Sequence, residues 1–152
     1  HLDNALFPGF EFKDVSTFDN AGLICESING KKIKSLNNIF TGCSALKNFV
    51  DGFAVPAGVT DLYDMFEGCS SLETLPAGFT VPDSVTEMYR MFSECTSLSG
   101  TITINANPTN YEYCFFNAGK DTTDGIELKG SSTILSDLAA TKGANGKVTV
   151  AP

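Results

Sequence analysis

Three cysteines, Cys43, Cys69 and Cys95, recur at a constant step of 26 in the numbering, and thiols at a fixed step invite two chemistries. Stacked one rung apart, such residues fall within the ~4.4–6.8 Å Cα separation of a disulfide. On parallel rungs, however, their Cβ atoms point the same way, which suits stacking rather than bridging. Zinc asks for closely paired ligands such as Cys-x-x-Cys, whereas the steps between successive cysteines here are 18, 26, 26 and 19. The ladder therefore reads as small buried hydrophobes. Cys25 and Cys114 lie outside it, and a bridge between those two stays open; five cysteines leave at least one free thiol in a monomer.

Asn37, Tyr63 and Tyr89 form a second column at the same step. Both tyrosines fall off the apolar stripe of their segments, so their rings are placed one above the other at the surface. An exposed aromatic track stacks sugar rings or anchors a partner protein, tyrosine being enriched at binding hot spots. The alternative is that each ring half-packs on its neighbours and does nothing more. Tyr113 joins the row if the fourth unit is contracted by two residues.

Other candidate chemistry dissolves on inspection. His1 is the only histidine, so a Ser-His-Asp or Cys-His catalyst has no internal base. Asp121-Thr-Thr-Asp124-Gly125 resembles the start of a calcium loop, but Thr123 and Gly125 stand at ligand positions and Ser132 replaces the closing carboxylate. A turn is the expectation there. Ala118-Gly119-Lys120 lacks the upstream glycine and following hydroxyl of a phosphate loop. Glu67, Glu73 and Asp83 change identity from copy to copy, so no carboxylate pair converges. The expectation is a protein without catalytic, metal or cofactor residues.

The elements that position these columns come from an internal repeat. IFTGCSAL (39–46), MFEGCSSL (65–72) and MFSECTSL (91–98) align, as do DGFAVPAGVT (51–60) and AGFTVPDSVT (77–86). Ile33, Val59 and Val85; Leu36, Leu62 and Met88; Phe40, Phe66 and Phe92; and Leu46, Leu72 and Leu98 all keep the step of 26. Within one unit Val59, Leu62, Met65, Phe66 and Cys69 make an apolar stripe at helical period, with Thr60 or Asp61 as cap and Gly68 at the end. Phe79 and Val81 alternate with Thr80 as a short strand ended by Pro82. Neither piece buries its apolar side alone, so units must stack. A fourth unit, contracted by two or three residues, begins near Asn110 and carries Cys114, Phe115 and Phe116 where the others have Met-Phe.

The predicted organisation is one domain: an N-terminal cap over residues 1–31, including Phe7 to Phe12, repeats over 32–119, and a C-terminal cap over 120–152. In that last segment Ile126 to Leu128 reads as a strand and Ser131 or Ser132 as a cap. A helix through Ile134, Leu135, Leu138 and Ala139 follows, then a closing strand from Lys147 to Val150. Caps of this kind cover exposed end rungs.

Residues 58–83, GVTDLYDMFEGCSSLETLPAGFTVPD, resemble the BspA-type leucine-rich repeat of surface proteins from host-associated bacteria. The phrase VT, then MF-x-G-C-S-S-L, then L-P carries the likeness, nearly whole in two copies and partial in two more. The resemblance implies an α/β solenoid of leucine-rich-repeat type. It would hold about four rungs at a period of 23–26, each a short helix plus a short parallel strand. It implies display outside the cell and adhesion to a host extracellular or bacterial surface protein. It supplies no catalytic or ligand-binding residues.

Charge and composition agree with that setting. Ten basic against 18 acidic residues leave a net charge of −8 and a pI near 4.4, which argues against a nucleic-acid or anionic membrane surface as partner. Charged residues are 18% of the chain, below the usual ~25%; Ser, Thr and Asn fill the difference, a correlate of secreted or surface proteins. No apolar run reaches the ~20 residues of a membrane span. The start carries no basic segment followed by an apolar one, and the chain is read as a mature fragment of an exported protein. The expected assignment is a monomeric protein-binding module on the cell surface or secreted. A structural spacer or a glycan-binding module using Tyr63 and Tyr89 are the alternatives. The exposed position shared by Lys47, Glu73 and Ser99 is a place where partner choice would be set.

Overall fold

The computed structural model describes residues 17–18, 27–28, 31–49 and 53–152; Phe7 to Phe12 and Cys25 lie outside the described residues. Successive repeat units lie on one another in parallel register, joined by bridges Ser35–Asp61, Asp61–Glu87 and Glu87–Asn110. The first two steps are 26 and the third is 23, so the fourth unit is shortened by three.

The stripe from Val59 to Cys69 does not form the expected helix. It folds as a run of four-residue turns. Met65, Glu67 and Cys69 donate their N–H groups three residues back, to Leu62, Asp64 and Phe66. Leu62, Asp64, Phe66 and Gly68 donate instead to the neighbouring rung, to Glu87 O (3.0 Å), Tyr89 O (3.0 Å), Met91 O (2.9 Å) and Ser93 O (2.9 Å). Leu36, Asn38, Phe40 and Gly42 make the same bonds to the second unit, and Met88, Arg90, Phe92 and Glu94 to the fourth. Positive φ at Asp64 (52°) and Gly68 (76°) resets the chain every four residues, which an α-helix cannot tolerate. Buried N–H groups must be paired, and a neighbour one rung away offers carbonyls as good as those of an intrachain helix.

The turns keep the apolar period, so the core is still made of columns. Phe40, Phe66, Phe92 and Phe115 are buried and stack at centroid separations of 5.6, 5.5 and 5.3 Å, with interplanar angles of 7°, 12° and 10°. The Ile33, Leu36 and Leu46 columns are buried throughout. Phe53 stacks on Phe79 at 5.9 Å, extending the same order to the second apolar layer.

Short strands complete each unit. β1 (Thr17–Phe18), β2 (Ser27–Ile28), β3 (Lys31–Lys32) and β4 (Asn48–Phe49) precede the second repeat. β1 runs parallel to β4, with Thr17 opposite Asn48, and β2 pairs antiparallel with β3. The N-terminal segment thus contributes a parallel strand to the stack as well as a hairpin. β5 (Thr80–Val81), β6 (Gly100–Ile104), β7 (Ile126–Lys129) and β8 (Val148–Val150) form one parallel sheet in that order. Between β7 and β8 lies α1 (Leu135–Ala139), anchored by buried Leu138. Ser132 Oγ accepts the Ile134 N–H at 3.3 Å, just before the helix proper; Ile134 itself is the N-cap and uses no side-chain cap. Among the described residues no helix is long and apolar enough to cross a membrane.

Candidate functional site

The bridge column sets the entry to each turn run. Asp61 Oδ1 accepts the Tyr63 N–H at 2.9 Å, and Glu87 Oε1 accepts the Tyr89 N–H at 2.7 Å. Their second carboxylate oxygens accept Ser35 Oγ (3.1 Å) and Asn110 Nδ2 (2.9 Å) from adjacent rungs. Each carboxylate is thereby spent on the backbone turn and on rung registry, and each turn aims its tyrosine to the same side. Thr60 instead donates its hydroxyl to Lys34 O at 3.3 Å, so Asp61 is the capping residue of the two expected.

Tyr63 and Tyr89 are half-buried and stack face to face at 5.1 Å and 12°. Asn37, in the same column one unit earlier, is exposed. Tyr113 does not continue the stack. The three-residue contraction puts it in register with Arg90, and its ring meets Tyr89 edge-on at 6.0 Å and 77°. Phe116 follows at 6.0 Å and 66°. The Arg90 guanidinium lies 5.8 Å from the Tyr89 centroid, and Lys142 Nζ lies 5.4 Å from that of Tyr113 and 3.4 Å from its hydroxyl, both within cation–π range.

Two open clefts flank these rings and share Tyr113 as a wall. One, of about 400 Å³, is lined by Glu67, Tyr89, Arg90, Ser93, Glu94 and Phe116. The other, of about 570 Å³, is lined by Tyr111, Glu112, Asp137, Ala140, Thr141 and Lys142. The chain has four tyrosines and no tryptophan. Three of the four line these clefts, and Tyr63 stacks on one of the three.

Asp64, next to Tyr63 in the chain, has 8% of its surface exposed. Its Oδ1 has no hydrogen-bond partner, alone in this among the buried side-chain polar atoms of the described residues. Burial pushes its carboxyl above the usual aspartate value, with Arg90 opposing the shift. The Asp64 charge in turn is the largest reason that the Tyr63 phenol is held above its ordinary value, with burial second.

The cysteine ladder stands elsewhere in the fold. Cys43, Cys69, Cys95 and Cys114 are buried. Cys69 Sγ donates to Phe40 O and Cys95 Sγ to Phe66 O, each at 3.1 Å. For Cys69 a hydrogen bond with Cys43, then burial, drives the thiol pKa far up; for Cys95 and Cys114 burial leads. Such thiols are poor nucleophiles and poor metal ligands. Among the described residues no group of three metal-ligating side chains comes together.

The chain matches the family described as "Mycoplasma protein of unknown function, DUF285" over residues 10–127. It belongs to the DUF285 family. The match spans all four repeat units and ends within β7. No curated protein and no solved structure shows significant similarity to this DUF285 chain.

Of the positions singled out in the sequence, Tyr63 and Tyr89 are brought together. Lys47, Glu73 and Ser99 also stack as a column, through Glu73 N–H to Lys47 O (2.9 Å) and Ser99 N–H to Glu73 O (3.0 Å), with Ser99 half-buried. The Asp121–Gly125 segment is a turn in which Thr122 Oγ1 donates to Gly119 O (2.6 Å) and accepts from Gly125 N–H (3.0 Å). A Cβ on Gly125 would strike Lys147 O, so that glycine serves packing. Sequence reasoning missed Tyr111, Arg90, Glu94 and Lys142 as cleft residues. A register of 23 for the fourth unit brings Tyr113 onto Arg90 and Asn117 onto Glu94, but it assigns Tyr111 to the buried Met88 column; Lys142 lies past the periodic region and carries no such signal.

Proposed function

We propose that this protein is a non-catalytic, monomeric binding module, displayed on a cell surface or secreted, that recognises a protein. Its architecture on this reading is a leucine-rich-repeat-type solenoid with end caps, related to the BspA-type repeats it resembles, in which short turn runs replace the helices. The observation that carries the function is the gathering of all four tyrosines on one face beside two open clefts. Tyrosine offers large amphipathic contact area at little entropic cost, which is why it dominates protein-binding hot spots.

The glycan reading draws less support from the geometry. Stacking a sugar needs free ring faces, and Tyr63 and Tyr89 each spend one face on the other while the Tyr113 edge and Arg90 crowd Tyr89. The deciding experiment is a binding screen of the purified chain against matrix, plasma and mucin glycoproteins, each also deglycosylated. Binding that survives deglycosylation, and falls in the Tyr89→Ala variant, supports the reading. Binding lost with the glycans, and in a folded Tyr63→Ala/Tyr89→Ala variant, replaces it with glycan recognition. No binding at high micromolar concentration leaves a structural spacer.

A further inference from the structure

We infer that the tyrosine face takes a basic, extended segment of its protein partner, seating lysine or arginine side chains in the two clefts that meet at Tyr113. This rests on the protein-binding reading above and names the chemistry of the partner.

The argument is one of charge and ring placement. Each cleft carries two carboxylates against one cation: Glu67 and Glu94 against Arg90, and Glu112 and Asp137 against Lys142. Each therefore keeps an excess negative charge beside aromatic walls. The protein's own cations already use these rings, Arg90 at Tyr89 and Lys142 at Tyr113. A ring face flanked by carboxylates attracts ammonium and guanidinium groups both through its quadrupole and through the carboxylates' field. Glu112 and Asp137 are exposed and Glu67 and Glu94 half-buried, so all four present surface to an incoming side chain. The net charge of −8 favours encounter with a basic partner over the whole surface.

The test uses the intact chain and its own tyrosine emission. With three tyrosines lining the clefts, the fourth, Tyr63, stacked on Tyr89, and no tryptophan anywhere, the intrinsic fluorescence reports on this face. The probe is a short blocked peptide with two lysines set apart by glycine and serine. Its controls carry glutamate or acetyl-lysine instead. A saturable emission change with the lysine peptide alone, weakened by salt, is expected. Glu67→Gln/Glu94→Gln/Glu112→Gln should weaken it about fivefold or more, with an unchanged thermal melt showing that the variant folds. No response, an equal response to the controls, or full affinity in the Gln variant overturns the inference. A protein from the screen that binds the Gln variant as well as the parent also overturns it while leaving the protein-binding reading intact. Lysine-peptide binding without any protein target does the reverse.

Discussion

Tyr63 lies against Tyr89 with ring centroids 5.1 Å apart and planes 12° from parallel, although the two belong to different repeat units. Each ring is held by the same device, a carboxylate two residues earlier that accepts the tyrosine N–H, Asp61 for one and Glu87 for the other. Equal turns on equal rungs put equal side chains in contact. An offset aromatic pair contributes about 0.5–1.5 kcal/mol beyond its area burial. A double-mutant cycle of Tyr63→Leu and Tyr89→Leu by urea unfolding should return a coupling of that size; additive effects would mean that the rings merely coexist.

Asp64 gives a pH dependence with a definite sign. Its carboxyl is raised in the folded protein, chiefly by burial, so the folded state keeps a proton that the unfolded chain has already released. The contribution favours folding below the ordinary aspartate range and is lost as pH rises through the raised value. At neutral pH the ionised, half-unpaired carboxylate costs stability. Asp64→Asn, which installs the residue found at position 38 of the first unit, should raise stability at pH 7 by about 1 kcal/mol, or ~2–4 °C in Tm. The gain should vanish near pH 3, a trend read from melts across the acid range.

The same variant has a spectroscopic consequence. Asp64 is the main cause of the raised Tyr63 phenol. In an ultraviolet titration at alkaline pH, below the point where the fold opens, one tyrosine should ionise late. In Asp64→Asn that step should move to lower pH. An unchanged titration would place the cause elsewhere.

Buried thiols with strongly raised pKa values react only when exposed. Native protein should therefore label at no more than one cysteine, Cys25, with a chromogenic disulfide reagent. Denatured, reduced protein should label at all five. Rapid labelling of two or more in the native state would contradict the burial of the ladder.

Gly68 sits at φ 76°, and a Cβ there would lie 3.4 Å from the Gly42 Cα of the preceding rung. Gly68→Ala should cost about 1–2 kcal/mol through left-handed backbone strain, while Phe66→Ala two residues away should cost about 3–5 kcal/mol by emptying the stacked core. Chemical denaturation of the two variants separates strain from cavity, and a reversed order would refute the assignment of Phe66 to the centre of the stack.

The apolar columns were legible in the chain alone. Ile33, Leu36, Phe40 and Leu46 and their counterparts recur at one constant step because stacking makes equivalent residues share one environment, and burial then admits only apolar types. Tyr63 and Tyr89 were found by the same reasoning. The backbone between Val59 and Cys69 was not legible, because a helix and a run of four-residue turns bury the same stripe. What separates them is where the N–H of Leu62, Asp64 and Phe66 goes, and the carbonyls that receive it, on Glu87, Tyr89 and Met91, belong to another rung. The place of Tyr113 was likewise decided by the Glu87–Asn110 bridge, which sets the contraction at three and turns that ring edge-on. Local sequence determined which side chains face inward; the partner rung alone determined the hydrogen bonds, the register, and the meeting of Lys142 with Tyr113 that completes the clefts.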